Sequence, residues 1–323
     1  MNSGKVKTLI IQGVNPVYSW HEDFLAASTN VETVIYIGDR NDETGSIAHY
    51  LMTETHPLEA WGDAEIVKGI YSIQQPTIQP LNDARSFMNT LISWLKLGGK
   101  SLSANDAYSY IKNYWAQNMS GISWSQLLQD GVYDSSKAQR QVASGGRSFK
   151  AGSLKYLKSL VKHSKSELAL YSTVGLRDGS LANVSWLQEF PDPVTKICWD
   201  NYATVSPSYA EKHSLHEGDV VKLTIGEQAL AVPVHIQPGQ GSQTIGLALG
   251  YGRWKAGSVG NRVGVRALIF AKTAKLGLSA GQILSGMPVS LTKTDRKIPL
   301  ANVQGHHSME GRQIVVELSL IHI

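Results

Sequence analysis

Cysteine is almost missing from this chain: Cys198 is the only one in 323 residues. One thiol closes no internal disulfide, and it falls far short of the four thiolates that an iron-sulfur cluster normally takes. Whatever redox chemistry is considered, these residues hold no such cluster by themselves. The Lys-Ile-Cys-Trp setting of Cys198 is hydrophobic, so a small buried side chain is expected in place of a reactive thiol. Long apolar runs are missing too. Thr8 to Ile11 and Val34 to Ile37 are strand-sized, far below the roughly 20 residues that span a bilayer. No direct membrane span is expected, and Met1 to Lys7 shows no apolar segment of signal-peptide length before Gly13.

Charge of one sign is also scarce, with a formal net charge of +4. It is uneven, because residues 1–100 hold 7 basic and 11 acidic groups and the rest carries a net +8. A helix expected over 149–165 gathers Lys150, Lys155, Lys158, Lys162 and Lys165. Without an accompanying motif this is a solvated basic face, and no nucleic-acid partner is expected. Gly98-Gly-Lys-Ser101 resembles the end of a phosphate-binding loop, but that motif needs glycine where Trp94 stands and a strand before it. His306-His307 has no third ligand at metal-binding spacing, so a polar turn is expected there and no metal site. No nucleophile has a base at a recognisable spacing.

What is present is a chain with 42% hydrophobic residues, long enough for about two domains. Lys7–Gln12 and Val31–Ile37 read as strands with a helix-sized segment, His21–Ser28, between them. That is the unit of a parallel sheet, in which ligands gather at the carboxyl ends of the strands, here Asn15-Pro16 and Asp39 to Thr44. Asp83 is placed to cap a helix that Gly98-Gly99 ends. Residues 103–117 and Trp124 to Gln129 read as two further packing helices, with Tyr108, Ile111 and Trp115 on one face. Ser135 to Ser148 is rich in Ser, Gln, Gly and Lys and marks a connection. After it, Asp219–Ile225, Ala229–Ile236 and Gln243–Leu249 alternate or run apolar between turn signals, which predicts antiparallel or barrel-like β structure. Residues 271–323 lose that rhythm and read as an extended tail.

The stretch from His56 to Pro80 fits neither helical nor strand periodicity and reads as a shaped polar loop, with Glu59, Trp61, Gly62, Asp63, Gln74 and Gln75 as its hydrogen-bonding or turn-forming residues. His56 and Glu59 have the chemistry to pass protons, but a loop-fixing hydrogen bond is the simpler expectation. Further on, Leu215-His-Glu-Gly218-Asp219 combines a glycine that allows a sharp bend with a carboxylate that accepts bonds from turn amides.

That Gly-Asp turn resembles the one in double-psi β-barrels. In order along the chain, Asn15-Pro16, Asp42-Glu43-Thr44, Leu58-Glu59 with Gly62, and Ser72 to Pro80 resemble the molybdopterin oxidoreductase family. The finer match is to the large iron-sulfur subunit of alternative complex III. It rests on Asn15-Pro-Val-Tyr-Ser, His56-Pro-Leu-Glu-Ala-Trp-Gly-Asp, Ser72-Ile-Gln-Gln-Pro, Leu247-Ala-Leu-Gly-Tyr-Gly-Arg, Ala256-Gly-Ser-Val-Gly-Asn and His306-His-Ser-Met-Glu-Gly-Arg. The resemblance covers nearly the whole chain and is weakest from about 135 to 165.

It implies an α/β fold: a Rossmann-like parallel sheet domain over 1–134, a variable linker and basic helix over 135–165, a dinucleotide-binding-like double-psi β-barrel over 166–275, and an extended tail over 276–323. The cofactor-binding positions carried over are Asn15, Pro16, Asp39, Glu43, Thr44, Glu59, Gly62, Gln75, Gly250, Gly252, Arg253 and Asn261. In the family these approach a molybdopterin guanine dinucleotide, with Gly257, Gly260 and Gly264 adding amides and Lys255, Arg262 and Arg266 adding cations. In alternative complex III the large subunit is understood to lack the molybdenum cofactor, which makes these positions vestigial.

The resemblance further implies a piece of a longer subunit, with an iron-sulfur domain following it. The partners implied are cytochrome c and quinol-oxidising membrane subunits, with membrane association through them on the periplasmic face. Three functions follow as expectations: a metal-free scaffold part of a quinol-oxidising respiratory complex, the carboxyl-terminal half of a molybdenum bis-pterin enzyme, or a guanine-nucleotide-binding module.

Overall fold

The computed structural model describes residues 1–20, 22–119, 121–135, 151–160, 166–273, 282–303 and 311–312. The chain divides into two compact units, Met1–Lys150 and Ala151–Ile323.

In the first unit, β1 (Thr8–Gln12) leads through α1 (Pro16–Ser19) and α2 (Glu22–Ser28) to β2 (Thr33–Gly38), and β3 (Tyr50–Thr53) follows. The three strands lie in the order β1-β2-β3 and all run parallel, with Thr8 opposite Thr33 and Ile35 opposite Tyr50. Ile11, Val31, Val34 and Tyr36 are buried and form the small core of this sheet. The strand-helix-strand order follows the sequence expectation. β3 was not expected, because three of its four residues are exposed and it carries no alternation.

The segment read as a loop from His56 to Pro80 contains a hairpin. A single 3-10 turn at Pro57–Glu59 precedes β4 (Gly62–Val67) and β5 (Ile70–Gln74). β4 is exposed along most of its length, so no buried face imposes an apolar period. Gly69, at φ +85°, makes the turn between the strands. α3 (Phe87–Leu97), α4 (Ala107–Asn118) and α5 (Trp124–Asp130) come next, and β6 (Val132–Asp134) joins β5. The cap of α3 is Ser86, whose Oγ accepts from Asn89 N, and not Asp83: only Ser86 has the extended backbone next to the first turn that a cap requires. Asp106 does the same for α4, which begins at 107 and not at 103. Ile111, Trp115 and Leu127 are buried here against Trp61, Tyr71 and Tyr133, as the predicted aromatic face requires.

The second unit begins with α6 (Ala151–Leu160) and β7 (Glu167–Tyr171), followed by α7 (Ser185–Glu189), β8 (Ala203–Val205) and α8 (Pro207–Lys212). β9 (Asp219–Ile225), β10 (Gln228–Ile236) and β11 (Thr244–Ala248) match the three predicted strands closely. β12 (Met287–Pro288) and β13 (Ser290–Lys297) complete one seven-stranded sheet in the order β12-β7-β11-β8-β10-β9-β13. β7–β11 and β8–β10 are parallel pairs and the remaining pairs are antiparallel.

β12 and β13 lie at opposite edges, yet Val289 alone separates them along the chain, so the sheet must curl until its edges meet. Leu168, Val221, Leu223, Val232, Val234, Ile245, Leu247 and Phe270 are fully buried in the core it encloses. Residues 287–297 therefore belong to the sheet and not to an extended tail. Their polar sequence reflects an edge strand whose side chains are largely exposed.

Most of the 135–165 linker lies outside the described residues. So do His306-His307 and the rest of that motif except Gly311 and Arg312. Among the described residues, no helix is long and apolar enough to cross a membrane.

Candidate functional site

The carboxyl end of the parallel sheet gathers four of the predicted positions. Asn15 follows β1 and caps α1, its Oδ1 accepting from Tyr18 N at 3.3 Å, with Pro16 as the first helical residue. After β2, Thr44 Oγ1 donates to the same Asn15 oxygen at 2.6 Å and accepts from Val17 N at 3.1 Å. Asn15 Nδ2 donates to Glu43 Oε2 at 2.8 Å. Glu43 and Thr44 are fully buried. Asp42, outside the predicted set, organises this turn: its Oδ1 accepts from Thr44 N and Gly45 N at 3.0 Å each, and its Oδ2 from Tyr36 OH at 2.9 Å. Asp39 stands apart and exposed. Its carboxylate takes a two-pronged bond from Arg40, at 3.0 and 2.6 Å, which holds its pKa below the ordinary carboxylate range.

Glu59, Gly62 and Gln75 serve the hairpin. Glu59 accepts from His56 N at 2.9 Å and Leu81 N at 3.1 Å, while His56 Nδ1 accepts from Leu58 N, closing a capping box around the short turn. Gln74 Nε2 donates to Pro57 O and Ala60 O, and Gln75 Nε2 donates to Leu128 O at 2.8 Å. Gly62 opens β4 opposite Gln74. Trp61 packs on Tyr108 with ring centroids 4.8 Å apart, and Asp63 Oδ2 accepts from Trp115 Nε1 at 2.8 Å.

In the second unit, Gly250, Gly252, Arg253 and Asn261 lie on one looped-out segment after β11. Gly252 N donates to Val263 O and Arg262 N to Arg253 O, both at 2.7 Å, so the segment folds back on itself. Gly252 sits at φ +68°, and a Cβ there would lie 2.2 Å from Arg266 N. Arg253 is buried and donates through Nη1 to Gly179 O at 2.6 Å. Asn261 Oδ1 accepts from Ala256 N at 2.7 Å and Gly257 N at 3.2 Å. Three residues that sequence reasoning missed finish the loop. Asn183 Oδ1 accepts from Val259 N and Gly260 N, Asp200 Oδ1 from Gly264 N, and Asn201 bonds Val265 N, Val265 O and Ala248 O. Their signal is a run of Asn and Asp in otherwise apolar loops, but their partners lie 47 to 77 residues away.

The Gly218-Asp219 turn is built as its chemistry suggests. Gly218 takes φ +78° with Ile298 O where a Cβ would stand, and Asp219 Oδ2 accepts from His216 N at 2.8 Å and Lys293 Nζ at 2.7 Å. The Lys293 bond keeps the Asp219 carboxyl below its ordinary pKa. Cys198 is buried, with Sγ 3.1 Å from Glu189 O, and burial pushes its thiol upward in pKa. Among the described residues, no three His, Cys, Asp or Glu are grouped to hold a metal ion.

No family model and no curated protein matches this sequence. The chain is similar in structure to acetylene hydratase from Pelobacter acetylenicus, with a TM-score of 0.65 and 13% sequence identity. The match covers 89% of this chain and 44% of the hydratase, so the chain spans less than half of that protein's length. At this identity the likeness carries the fold alone, an α/β architecture.

Proposed function

We propose that this chain is a scaffold segment of an electron-transfer oxidoreductase of the alternative complex III type, non-catalytic and without its own metal. What supports this is the state of the groups that the fold family would turn toward a pterin guanine dinucleotide. In the first unit, Asn15 and Thr44 bond one another, and Asn15 also bonds the buried Glu43. In the second, the amides of Ala256, Gly257, Val259, Gly260 and Gly264 already donate to Asn261, Asn183 and Asp200, and the buried Arg253 donates to a backbone carbonyl. A pyrophosphate needs such donors turned outward. As arranged, these residues do not fit the cofactor, and no chemical step is assigned through it.

In this reading the seven-stranded sheet is the counterpart of the family's double-psi β-barrel. The loops that resemble the family's are rigid shape, which presents surfaces to a flanking iron-sulfur domain, to cytochrome c and to quinol-oxidising membrane subunits on the periplasmic face. The test is metal and nucleotide analysis of the intact complex: iron is expected, with neither molybdenum, tungsten nor releasable guanine nucleotide. One molybdenum or tungsten per chain overturns the proposal.

A second reading, the carboxyl-terminal half of a catalytic pterin enzyme, is favoured by the likeness to a protein named as a hydratase. It requires the Gly250 to Gly264 segment to exchange its internal partners for a ligand. Stoichiometric guanine nucleotide in the same measurement would select it.

A further inference from the structure

Beside the hairpin, within the first unit, lies a cavity of about 400 Å³ lined by Thr55, Glu59, Trp61, Arg85, Asn89 and Tyr108 among others. That volume is in the range of small-molecule sites, roughly 300–1,000 Å³. Trp61 and Tyr108 give it an aromatic wall, tilted 58° to one another. A planar ring packs well against such a pair.

The charges decide what the ring would carry. Two carboxylates line the cavity, and both are already engaged. Glu59 takes one backbone N–H on each oxygen, and Asp106 takes the N–H and hydroxyl of Ser109, which hold its carboxyl below the ordinary pKa. Arg85 is different. Its guanidinium makes a single long bond, 3.4 Å to Ser93 Oγ, and among the described residues it has no carboxylate at ion-pair distance. Thr55 also lines the cavity, but its Oγ1 is closed off from solvent. Both carboxylates already accept donors of this chain, whereas the Arg85 guanidinium, with one long bond, still asks for an acceptor.

We propose that this cavity is a binding site for a small aromatic carboxylate, its ring against Trp61 and Tyr108 and its carboxylate on Arg85. The inference stands apart from the scaffold reading, since its ring and carboxylate contacts, Trp61, Tyr108 and Arg85, are none of the carried-over positions, although Glu59, which is one of them, also lines the cavity.

Calorimetric titration of the full chain with 2-naphthoate, its neutral amide 2-naphthamide and the cation 2-naphthylmethylammonium tests it. Saturable binding of one 2-naphthoate per chain is expected, at least about tenfold tighter than the amide, with the ammonium weakest. Arg85→Gln is expected to bring 2-naphthoate down to the level of the amide without moving the thermal midpoint, because Arg85 is exposed and makes one weak side-chain contact. No saturable heat with 2-naphthoate, unchanged binding in Arg85→Gln, or an ammonium bound as tightly as the carboxylate would each overturn the assignment.

Discussion

Glycines at similar positive φ do different work in the two units. In the first, Gly13, Gly99 and Gly131 turn the chain at φ +64°, +77° and +71° with nothing within 4 Å of where a Cβ would be. In the second, Gly179, Gly218 and Gly252 each have a foreign backbone atom within 3 Å of that point. The first group is there for conformational freedom alone, the second for close approach of two chain segments. The cores differ in the same sense. One continuous apolar cluster fills the curled sheet, whereas the first unit divides its burial between two small clusters and fixes the rest with caps and side-chain hydrogen bonds. Loop precision in the second unit comes from strands forced together around a core, and in the first from local polar closure.

That contrast breaks most visibly at Gly252. Gly252→Ala adds a Cβ 2.2 Å from Arg266 N at a left-handed backbone position, and a loss of about 4 kcal/mol or more is expected in denaturant unfolding. A loss below about 1 kcal/mol would show that the segment yields easily. Trp61→Ala removes a ring packed on Tyr108 and Trp124, and about 3 kcal/mol is expected. In an assembled oxidoreductase its effect should fall on stability and assembly, as should that of Glu59→Ala, and selective loss of turnover would contradict the scaffold assignment.

Asp219→Asn weakens the bond from Lys293 that ties β13 to β9, at a cost of about 2 kcal/mol. The folded-state pKa of Asp219 is depressed, so its contribution is present above the unfolded value of about 3.9 and is lost as pH falls through the folded value. Acid titration of unfolding should therefore show a stability loss below about pH 4 that Asp219→Asn largely lacks. Gly131→Ala sharpens the comparison from the other side. With the same sign of φ but open space around it, about 1 kcal/mol is expected, a fraction of the Gly252 effect.

The sequence disclosed those parts of the fold whose burial repeats with a period. β9, β10 and β11 alternate or run apolar and were found nearly to the residue, and β1, β2 and the helix between them were found in the same way. β8 is three fully buried residues, too short to show a period, and β3 and the hairpin strands face solvent enough to lose one. The site was legible in a similarly partial way. Asn15, Glu43 and Thr44 could be grouped because they follow successive parallel strands, and the structure bonds them together. Asn183, Asp200 and Asn201 could not, since each acts on a loop brought near only by the closed sheet.

The single residue between β12 and β13 has a consequence for how the chain is made. As it leaves a ribosome, β7 and β9 are both synthesised with one side unpaired, and neither gains its outer neighbour until residues 287–297 have emerged. Pairing of both edges thus waits for β12 and β13. A chain cut or stalled before Met287 would hold two open strand edges and expose Leu168 and Leu223, a form that invites pairing with other chains and recognition by chaperones.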